Sequence, residues 1–463
     1  MKQSAGEFYN NLKGKRVAFI GAGVSHRECI EVFAKKGAIV TLCDKKPDVN
    51  AFGAYGETLK QLGVRLSMGE HYLDGLAGQD IIMRTPGFEY FTPELQAAKA
   101  AGSEVTSEME LFFELCPCEK VAVTGSDGKT TTTTLIAEML KADGKRVWLG
   151  GNIGRPLLPE VEHMTPSDWA VVELSSFQLM DMDRSAQVAV VTNLAPNHLD
   201  VHKDMEEYVR AKRQVFLHQK AGDVLVLNWD NEITRSFASQ APGRVRFFSR
   251  LERPDRGVFL EGGVIYRADD RGTVPVLAQK DILLPGMHNV ENYMAALAAL
   301  EGLVSDKAAR KVAETFGGVE HRIELVRVKD GVRFYNDSIA SSPSRTIAGL
   351  RSFPEKVILI AGGYDKQIPY DVLGPEICRH VKRLVVTGAT GEKIRRAVVE
   401  APEYRPGTPE ILSIEDFDQA VRTAAGTAES GDVVLLSPAS AAFDRFQNFM
   451  VRGCHFKDLV RSL

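Results

Sequence analysis

Thr124-Gly125-Ser126-Asp127-Gly128-Lys129-Thr130-Thr131-Thr132 follows Lys120-Val121-Ala122-Val123, a short apolar run that reads as a buried strand. It precedes Leu135-Ile136-Ala137-Glu138-Met139-Leu140, which reads as a helix with an apolar face. Strand, glycine loop, lysine, hydroxyl and helix form the layout of a phosphate cradle. Glycines let the backbone fold tightly, so that its N–H groups converge on a polyphosphate. The helix N-terminus adds partial positive charge at the same point. Lys129 can reach the β/γ-phosphates, and Thr130 can ligate Mg²⁺. A glycine-rich turn beside a threonine run is the bland alternative, but it leaves the flanking strand and helix unexplained. The loop is shorter than the usual GxxxxGK[ST]: only Ser126 and Asp127 separate Gly125 from Gly128. Ordinary kinases and GTPases are therefore poor guides to it.

The chain has 463 residues, enough for about three domains of ordinary size. Its apolar fraction of 44% can build several cores. A net charge of -4 argues against a general nucleic-acid binder. The first residues, Met1 to Glu7, contain no apolar run and predict no signal peptide. No stretch approaches the roughly 18 continuous apolar residues of a membrane span, so a soluble, cytosolic chain is expected. Six cysteines in so long a chain make no disulfide framework. Cys116 and Cys118 flank one proline and read as two buried thiols rather than a metal pair.

Three α/β segments follow from the pattern. In residues 1–107, the strand Arg16–Ile20 runs into Gly21-Ala22-Gly23-Val24-Ser25-His26, a glycine turn opening a helix. Ile39–Asp44 is the next strand and ends in an acid, which makes a Rossmann-like βαβ unit. That invites a nicotinamide-dependent dehydrogenase reading with Asp44 on a ribose. The GxGxxG fingerprint is incomplete, however, because His26 or Arg27 stands where the third glycine belongs. Ile81-Ile82-Met83 leads into another strand-end loop, Arg84-Thr85-Pro86-Gly87.

Residues 108–318 hold the phosphate loop and strands at Trp169–Glu173, Val188–Asn193 and Val224–Asn228, each ending in a polar residue on a common rim. A glycine-broken stretch from Arg246 to Leu283 predicts a small β insertion. His288–Leu300 predicts a helix with Asn289 and Asn292 one turn apart on one face. Residues 319–463 predict a hairpin around Asp330-Gly331 and then a second doubly wound fold. Hinges are expected near Ser107 and at Gly317-Gly318.

Glu173, His198 and Lys212 follow the phosphate loop in order. Singly, each has a bland reading as a cap, a loop residue or a solvated charge. Together they favour a metal and phosphate site. TGSDGKTTT, GGNIGRPL (Gly150 to Leu157), VELSSFQL (Val172 to Leu179), TNLAPNHLD (Thr192 to Asp200), LPGMHNVENYMAAL (Leu284 to Leu297), EHRIE (Glu320 to Glu324), YNDSIA (Tyr335 to Ala340) and SPASAAFDRFQNF (Ser437 to Phe449) resemble the Mur ligase family along the whole chain. SSFQL and the closing element resemble its D-glutamate-adding branch.

The resemblance implies three domains: a UDP-sugar-binding Rossmann-like domain (1–107), a P-loop ATPase-like domain (108–318) and a Rossmann-like amino-acid-binding domain (319–463). It implies that ATP phosphorylates the alanine carboxylate of UDP-N-acetylmuramoyl-L-alanine and that the amine of D-glutamate attacks the acyl phosphate, in peptidoglycan precursor synthesis. Gly125, Ser126, Asp127, Gly128, Lys129, Thr130 and Thr131 match its ATP loop, and Asn289, Asn292, Arg322 and Asp337 match nucleotide contacts. Thr130, Glu173, His198 and Lys212 match the Mg²⁺ site, with Lys212 carried as a carbamate (N6-carboxylysine).

Val24, Ser25, Asp44, Lys45, Thr85, Pro86 and Gly87 match the uridine-nucleotide site. Asn152 and Ser175 match muramoyl and alanine contacts, and Lys366, Ala442 and Phe449 the amino-acid pocket. Only small-molecule partners and a monomer are implied.

Asp127 replaces a usual Asn and is expected to weaken ATP binding unless Mg²⁺ or Lys129 offsets it. Ile339 replaces a frequent Lys. Ala442 replaces a frequent Ser, which leaves Lys366 with more of the anion recognition. The competing readings are a sister ligase with another amino acid, a folylpolyglutamate-type ligase, the dehydrogenase, and a non-catalytic UDP-sugar binder. The dehydrogenase leaves the phosphate loop unexplained. Retention of Lys129, Glu173, His198 and Lys212 argues against the non-catalytic binder.

Overall fold

The computed structural model describes residues 3–89, 91–180, 182–195 and 203–463, and His198 lies outside them. Every apolar run named above forms a strand, and the strands assemble into three sheets. The first contains β1 (Arg16–Ile20), β2 (Ile39–Asp44), β3 (Arg65–Met68), β4 (Ile81–Arg84) and β5 (Glu104–Ser107). All its pairs are parallel, in the order β3-β2-β1-β4-β5. The chain therefore reverses direction between β1 and β4. The glycine turn after β1 and Thr85-Pro86-Gly87 after β4 lie at that switch point, where open α/β sheets hold ligands.

The second sheet contains β6 (Glu119–Thr124), β7 (Val147–Gly151), β8 (Trp169–Glu173), β9 (Val188–Val191), β10 (Val224–Asn228), β11 (Arg244–Ser249), β12 (Gly257–Glu261), β13 (Val264–Asp269) and β14 (Gly272–Ala278). Its order is β14-β13-β12-β11-β10-β9-β6-β8-β7, so β6, which carries the phosphate loop, is flanked by β9 and β8. The stretch expected as a small β insertion forms β11 to β14 and continues this sheet. β11 pairs in parallel with β10 from Val224↔Arg244 to Asn228↔Phe248, and β12 to β14 follow from it. Pairing on the open edge of β10 satisfies backbone groups that a detached hairpin would leave exposed.

The third sheet contains β15 (Glu324–Lys329), β16 (Val332–Asn336), β17 (Val357–Gly362), β18 (Val381–Thr387), β19 (Glu410–Ser413) and β20 (Val433–Leu436), in the order β15-β16-β20-β17-β18-β19. β15 and β16 form the expected hairpin. Asp330 (φ 51°) and Gly331 (φ 79°) both take the left-handed conformation that matches strand twist in tight turns.

The chain divides into two compact units, 1–278 with 291–312, and 279–290 with 313–463. The first unit contains both of the first two sheets because one apolar core runs through them. Tyr9, Phe33, Phe112, Leu158, Ala122 and Val172 all belong to it, and the Tyr9 hydroxyl donates to Leu158 O at 2.7 Å. Ser107 is buried, and its Oγ accepts from Glu110 N at the start of the helix Glu108–Leu115. Gly317 and Gly318 lie inside the second unit, where Leu325 N donates to Gly317 O at 2.7 Å. Cys116 and Cys118 are buried free thiols, as expected.

Candidate active site

The phosphate loop takes its shape from its two glycines and from the strand beside it. Gly125 (φ 147°) and Gly128 (φ 76°) both require positive φ. A Cβ on Gly125 would meet Thr192 Oγ1 at 1.9 Å, and one on Gly128 would meet Asn292 Oδ1 at 2.3 Å. The residues after β9 hold the loop from outside. Ser126 N donates to Asn193 O, Asp127 N to Asn193 Oδ1, and Thr192 Oγ1 to Asp127 O, at 2.8, 3.0 and 2.6 Å. Gly128 then caps the 14-residue helix Lys129–Ala142 with no side-chain bond. The first-turn N–H groups of such a helix have no intrahelical acceptor and favour an anion. Lys129 Nζ, expected to stand open to phosphates, folds back onto Gly125 O and Ser126 O at 3.0 and 2.9 Å. The Asp127 side chain is exposed, so solvent screens its charge.

Beside the loop, Thr130 Oγ1 donates to Glu173 Oε2 at 2.7 Å, and Asn152 Nδ2 donates to Glu173 Oε1 at 2.8 Å. Glu173 is buried at the end of β8 and does not cap the next helix. That role falls to Ser175, whose hydroxyl accepts from Gln178 N. Lys212 comes from the helix Met205–Leu217 and is buried, not solvated. Its Nζ donates to Thr124 Oγ1 and Gly125 O at 2.9 and 3.0 Å. Burial and the nearby Lys129 ammonium hold its pKa well below the usual lysine range, against the pull of Glu173. The structure thus brings Gly125–Thr131, Glu173, Lys212, Asn152, Ser175 and Asn292 to one rim. Asn292 Oδ1 accepts from Thr132 Oγ1 at 3.2 Å. Oxygen donors at Thr130 and Glu173 beside a backbone cradle fit Mg²⁺ and a polyphosphate.

The first glycine turn is built differently. Gly21 N donates to Cys43 O at 2.7 Å, and Ala22 N donates to Asp44 Oδ2 at 3.1 Å. Asp44 also accepts from Lys46 N, so its carboxylate braces the turn. Thr85 lies next to Gly21, and Gly87 turns with φ 81°. The Lys45 ammonium sits 5.9 Å over the Tyr72 ring. Ser25 lies in the first turn of the helix Val24–Lys35, whose N-terminus is Val24. His26, one residue on, is wholly buried against Phe19, with Nδ1 2.8 Å from Gly21 O. Burial lowers its pKa. A packed imidazole fills the place where a dinucleotide fingerprint needs its third glycine, which counts against the dehydrogenase reading.

In the second unit, Asp337 is buried and accepts from Ser437 Oγ at 2.7 Å. Burial pushes its pKa up to about 7, with Ser437 and the Arg322 guanidinium opposing. Arg322 is exposed between His321 (φ 64°) and Ile323 (φ 44°), two left-handed side-chain-bearing residues, a conformation that costs energy and clusters at functional sites. Asn289 Nδ2 donates to Pro285 O at 2.6 Å. Lys366 is exposed, Ala442 is buried, and Phe449 opens the helix Phe449–Ser462 with its ring centroid 6.0 Å from that of His321, the two rings nearly perpendicular.

Sequence reading missed Thr124, Thr192 and Arg452. Thr192 and Asn193 lie in a quoted motif, but nothing there marks them as loop scaffolding. Arg452 is fully buried. It donates to Ser338 Oγ and O, Ala441 O and Ser440 O at 2.9–3.1 Å. Burial lowers its pKa to about 10. Its only sequence signal is an arginine on the apolar face of a helix.

Known proteins are similar to this chain in sequence and fold. The family described as Mur ligase MurD-like, N-terminal domain, matches residues 15–107; Mur ligase middle domain matches 123–300; and Mur ligase, glutamate ligase domain, matches 321–440. A UDP-N-acetylmuramoylalanine–D-glutamate ligase of Acetivibrio thermocellus is 53% identical over 466 residues, covering 100% of both chains. One from Clostridium novyi is 47% identical over 463 residues, again covering 100% of both. The crystal structure of the UDP-N-acetylmuramate-alanine ligase of Thermotoga maritima superposes with a TM-score of 0.58 at 18% identity, over 96% of this chain and 99% of that one, a likeness of fold. Three family matches in order and full-length relatives near half identity establish that the chain belongs to the Mur ligase family.

Proposed function

We propose that this chain is the ATP-dependent ligase that joins D-glutamate to UDP-N-acetylmuramoyl-L-alanine, the activity named for its 53% identical relative. The observation that carries the reading is the rim where the Lys129 and Lys212 ammonium groups both bond the Gly125 carbonyl of the glycine loop and Thr130, just after it, bonds Glu173. A carboxylate is a poor electrophile, and phosphorylation by ATP gives it a good leaving group. The D-glutamate amine then attacks the acyl phosphate, and the tetrahedral intermediate collapses to an amide and phosphate. Two anions must meet for the first step, and the Lys129 ammonium offsets their repulsion after exchanging its loop carbonyls for phosphate oxygens. Mg²⁺, held by Thr130 and Glu173 with His198 as the third member by resemblance, supplies further positive charge. Asn152 and Ser175 orient the nucleotide-peptide, and Asp44 with the turns at Gly21 and Thr85 holds its uridine end.

Lys212 is carbamylated in this reading. Its depressed pKa supplies the neutral amine that attacks CO₂, forming an N–C bond and releasing a proton, so that a buried lysine becomes an oxygen donor. The division into 1–107, 108–318 and 319–463 assigns UDP-sugar, ATP and amino acid to successive domains, and the chain works as a monomer. No helix among the described residues is long and apolar enough to cross a membrane. ATP and a UDP-sugar as substrates imply the cytoplasm as the site of action.

Phosphate release from ATP, measured across nucleotide-peptide and amino-acid pairs, tests the proposal. Release should require UDP-N-acetylmuramoyl-L-alanine and D-glutamate together. A better rate with L-glutamate or a diamino acid would overturn it.

A further inference from the structure

In the second unit the chain steps outward from β17 through β18 to β19 and returns on the other side of β17 as β20. The carboxyl ends of β17 and β20 therefore flank the switch point of this sheet, the place where open α/β sheets hold their ligands. Two loops leave from there, and their backbones are fastened together. Gly362 N donates to Pro438 O at 2.8 Å and Tyr364 N to Ala441 O at 2.9 Å, while Gly363 N donates to Thr390 Oγ1 at 3.0 Å. A Cβ on Gly363 would lie 2.3 Å from Ala441 O, so only glycine permits this approach.

The fastened backbone holds an aromatic pair outward. Tyr364 is 44% exposed and Phe443 60%, with ring centroids 5.9 Å apart at 75°. One exposed aromatic residue needs no explanation. A rigidly held pair at a switch point has the apolar character of a binding wall. The charges around it are sorted. Asp365 is paired with Lys393 at 2.5 Å and accepts from Gln367 N, so its charge is balanced within the fold. Lys366 has no ion pair or hydrogen bond among the described residues, and neither has the Tyr364 hydroxyl. Ala442 is buried and offers only a methyl group. An ammonium and a phenol O–H, two residues apart on one loop, thus stand open beside an aromatic wall. Two donors suit a carboxylate, and the wall suits a short methylene chain.

We propose that Tyr364 determines specificity for the amino acid. Its phenol donates to the side-chain carboxylate that Lys366 pairs with, and Phe443 backs the ring and packs against the methylenes. This rests on the D-glutamate reading above.

Steady-state kinetics of wild type, Tyr364→Phe, Tyr364→Ala and Phe443→Ala test it, with melting temperatures as a check on folding. Tyr364→Phe keeps the ring and should raise KM for D-glutamate about tenfold, the low end for a hydrogen bond to a charged group. KM for ATP, kcat and melting temperature should hold. The preference for D-glutamate over D-glutamine should fall by the same factor, which a merely structural ring would not cause. Phe443→Ala should raise KM for D-glutamate about fivefold, within the range of an aromatic pair. An unchanged KM in Tyr364→Phe overturns the proposal, whether or not Tyr364→Ala is impaired. A wild-type protein that does not use D-glutamate overturns the underlying reading instead, and the two failures are distinct.

Discussion

Gly21-Ala22-Gly23 and Gly125-Ser126-Asp127-Gly128 are two versions of one local device. Each follows an inner strand paired in parallel on both sides, turns through left-handed glycine, and opens a helix whose cap residue is a glycine without a side-chain bond. They differ in what other elements bring to them. The first receives a carboxylate from the end of β2, which takes up its Ala22 N–H, and closes over a buried imidazole. The second receives Glu173 from β8, the Thr192-Asn193 pair after β9, and a buried lysine from the helix Met205–Leu217. A glycine turn after a strand thus reports only that the backbone must pass close to something. On the function proposed above, the neighbouring strands decide whether that something is a polyphosphate undergoing transfer or a nucleotide that is merely held.

If that contrast is right, the two turns break in different ways. Lys129→Ala should lower turnover by about a thousandfold or more, because phosphoryl transfer rests on charge stabilisation. The fold should survive, since the Lys129 side chain is half-buried and its ammonium bonds to the Gly125 and Ser126 carbonyls lie in the loop, outside the strand ladders. Wild-type phosphate release by a folded Lys129→Ala protein would remove the catalytic half of the comparison. Lys212→Ala should come next. Loss of the proposed carbamate oxygen should cost about a hundredfold, with partial recovery on adding a short carboxylate such as acetate or formate. Full activity at low bicarbonate, or mass spectra of the trapped native protein without a carbamate, would contradict the assignment.

Much of this contrast was legible in the residues. The strand-turn-helix grammar at Gly125 and Gly21 is local, so periodicity and glycine placement suffice to find it. The imperfect fingerprint at His26 already set the first turn apart. The brace around the Gly125 turn was not legible, because Thr192 and Asn193 act through contacts distant in sequence, and hydroxyls and amides look alike wherever they fall. Arg452 in the second unit escaped notice for the same reason. The continuity of the core across the first two sheets was not legible either, because no pattern within one segment reveals it. The continuation of the central sheet through β11 likewise depends on a pairing edge that only the assembled sheet presents.

The first turn offers a smaller and more selective effect. Asp44→Ala leaves the Ala22 N–H without that acceptor and loosens a turn proposed to contribute binding, not chemistry. KM for the UDP-linked substrate should rise about tenfold, as for the loss of one charged hydrogen bond, while KM for ATP holds. A matching loss in both constants would mean that the turns are not separate sites.

The smallest effect concerns the joint between the two sheets. Glu108 is buried at the start of the helix Glu108–Leu115, and its Oε1 accepts from Leu157 N and Leu158 N, both at 3.0 Å. Those residues close the segment that begins with Asn152, beside the catalytic rim. Burial raises the carboxyl from its ordinary 4.5 to about 7, with the two backbone donors opposing. The sign follows from proton counting. Between those two values the folded chain binds more protons at this site than the unfolded chain does, so its contribution to stability falls as pH rises through about 7. Glu108→Gln keeps an acceptor for the N–H pair and removes the ionisation. The variant should match wild type near pH 5 and gain on the order of 1 kcal/mol near pH 8, about 2 °C in melting temperature for so long a chain. Melting curves recorded across that range would decide the matter. Parallel pH profiles for the two proteins would mean that Glu108 does not titrate in a closed joint.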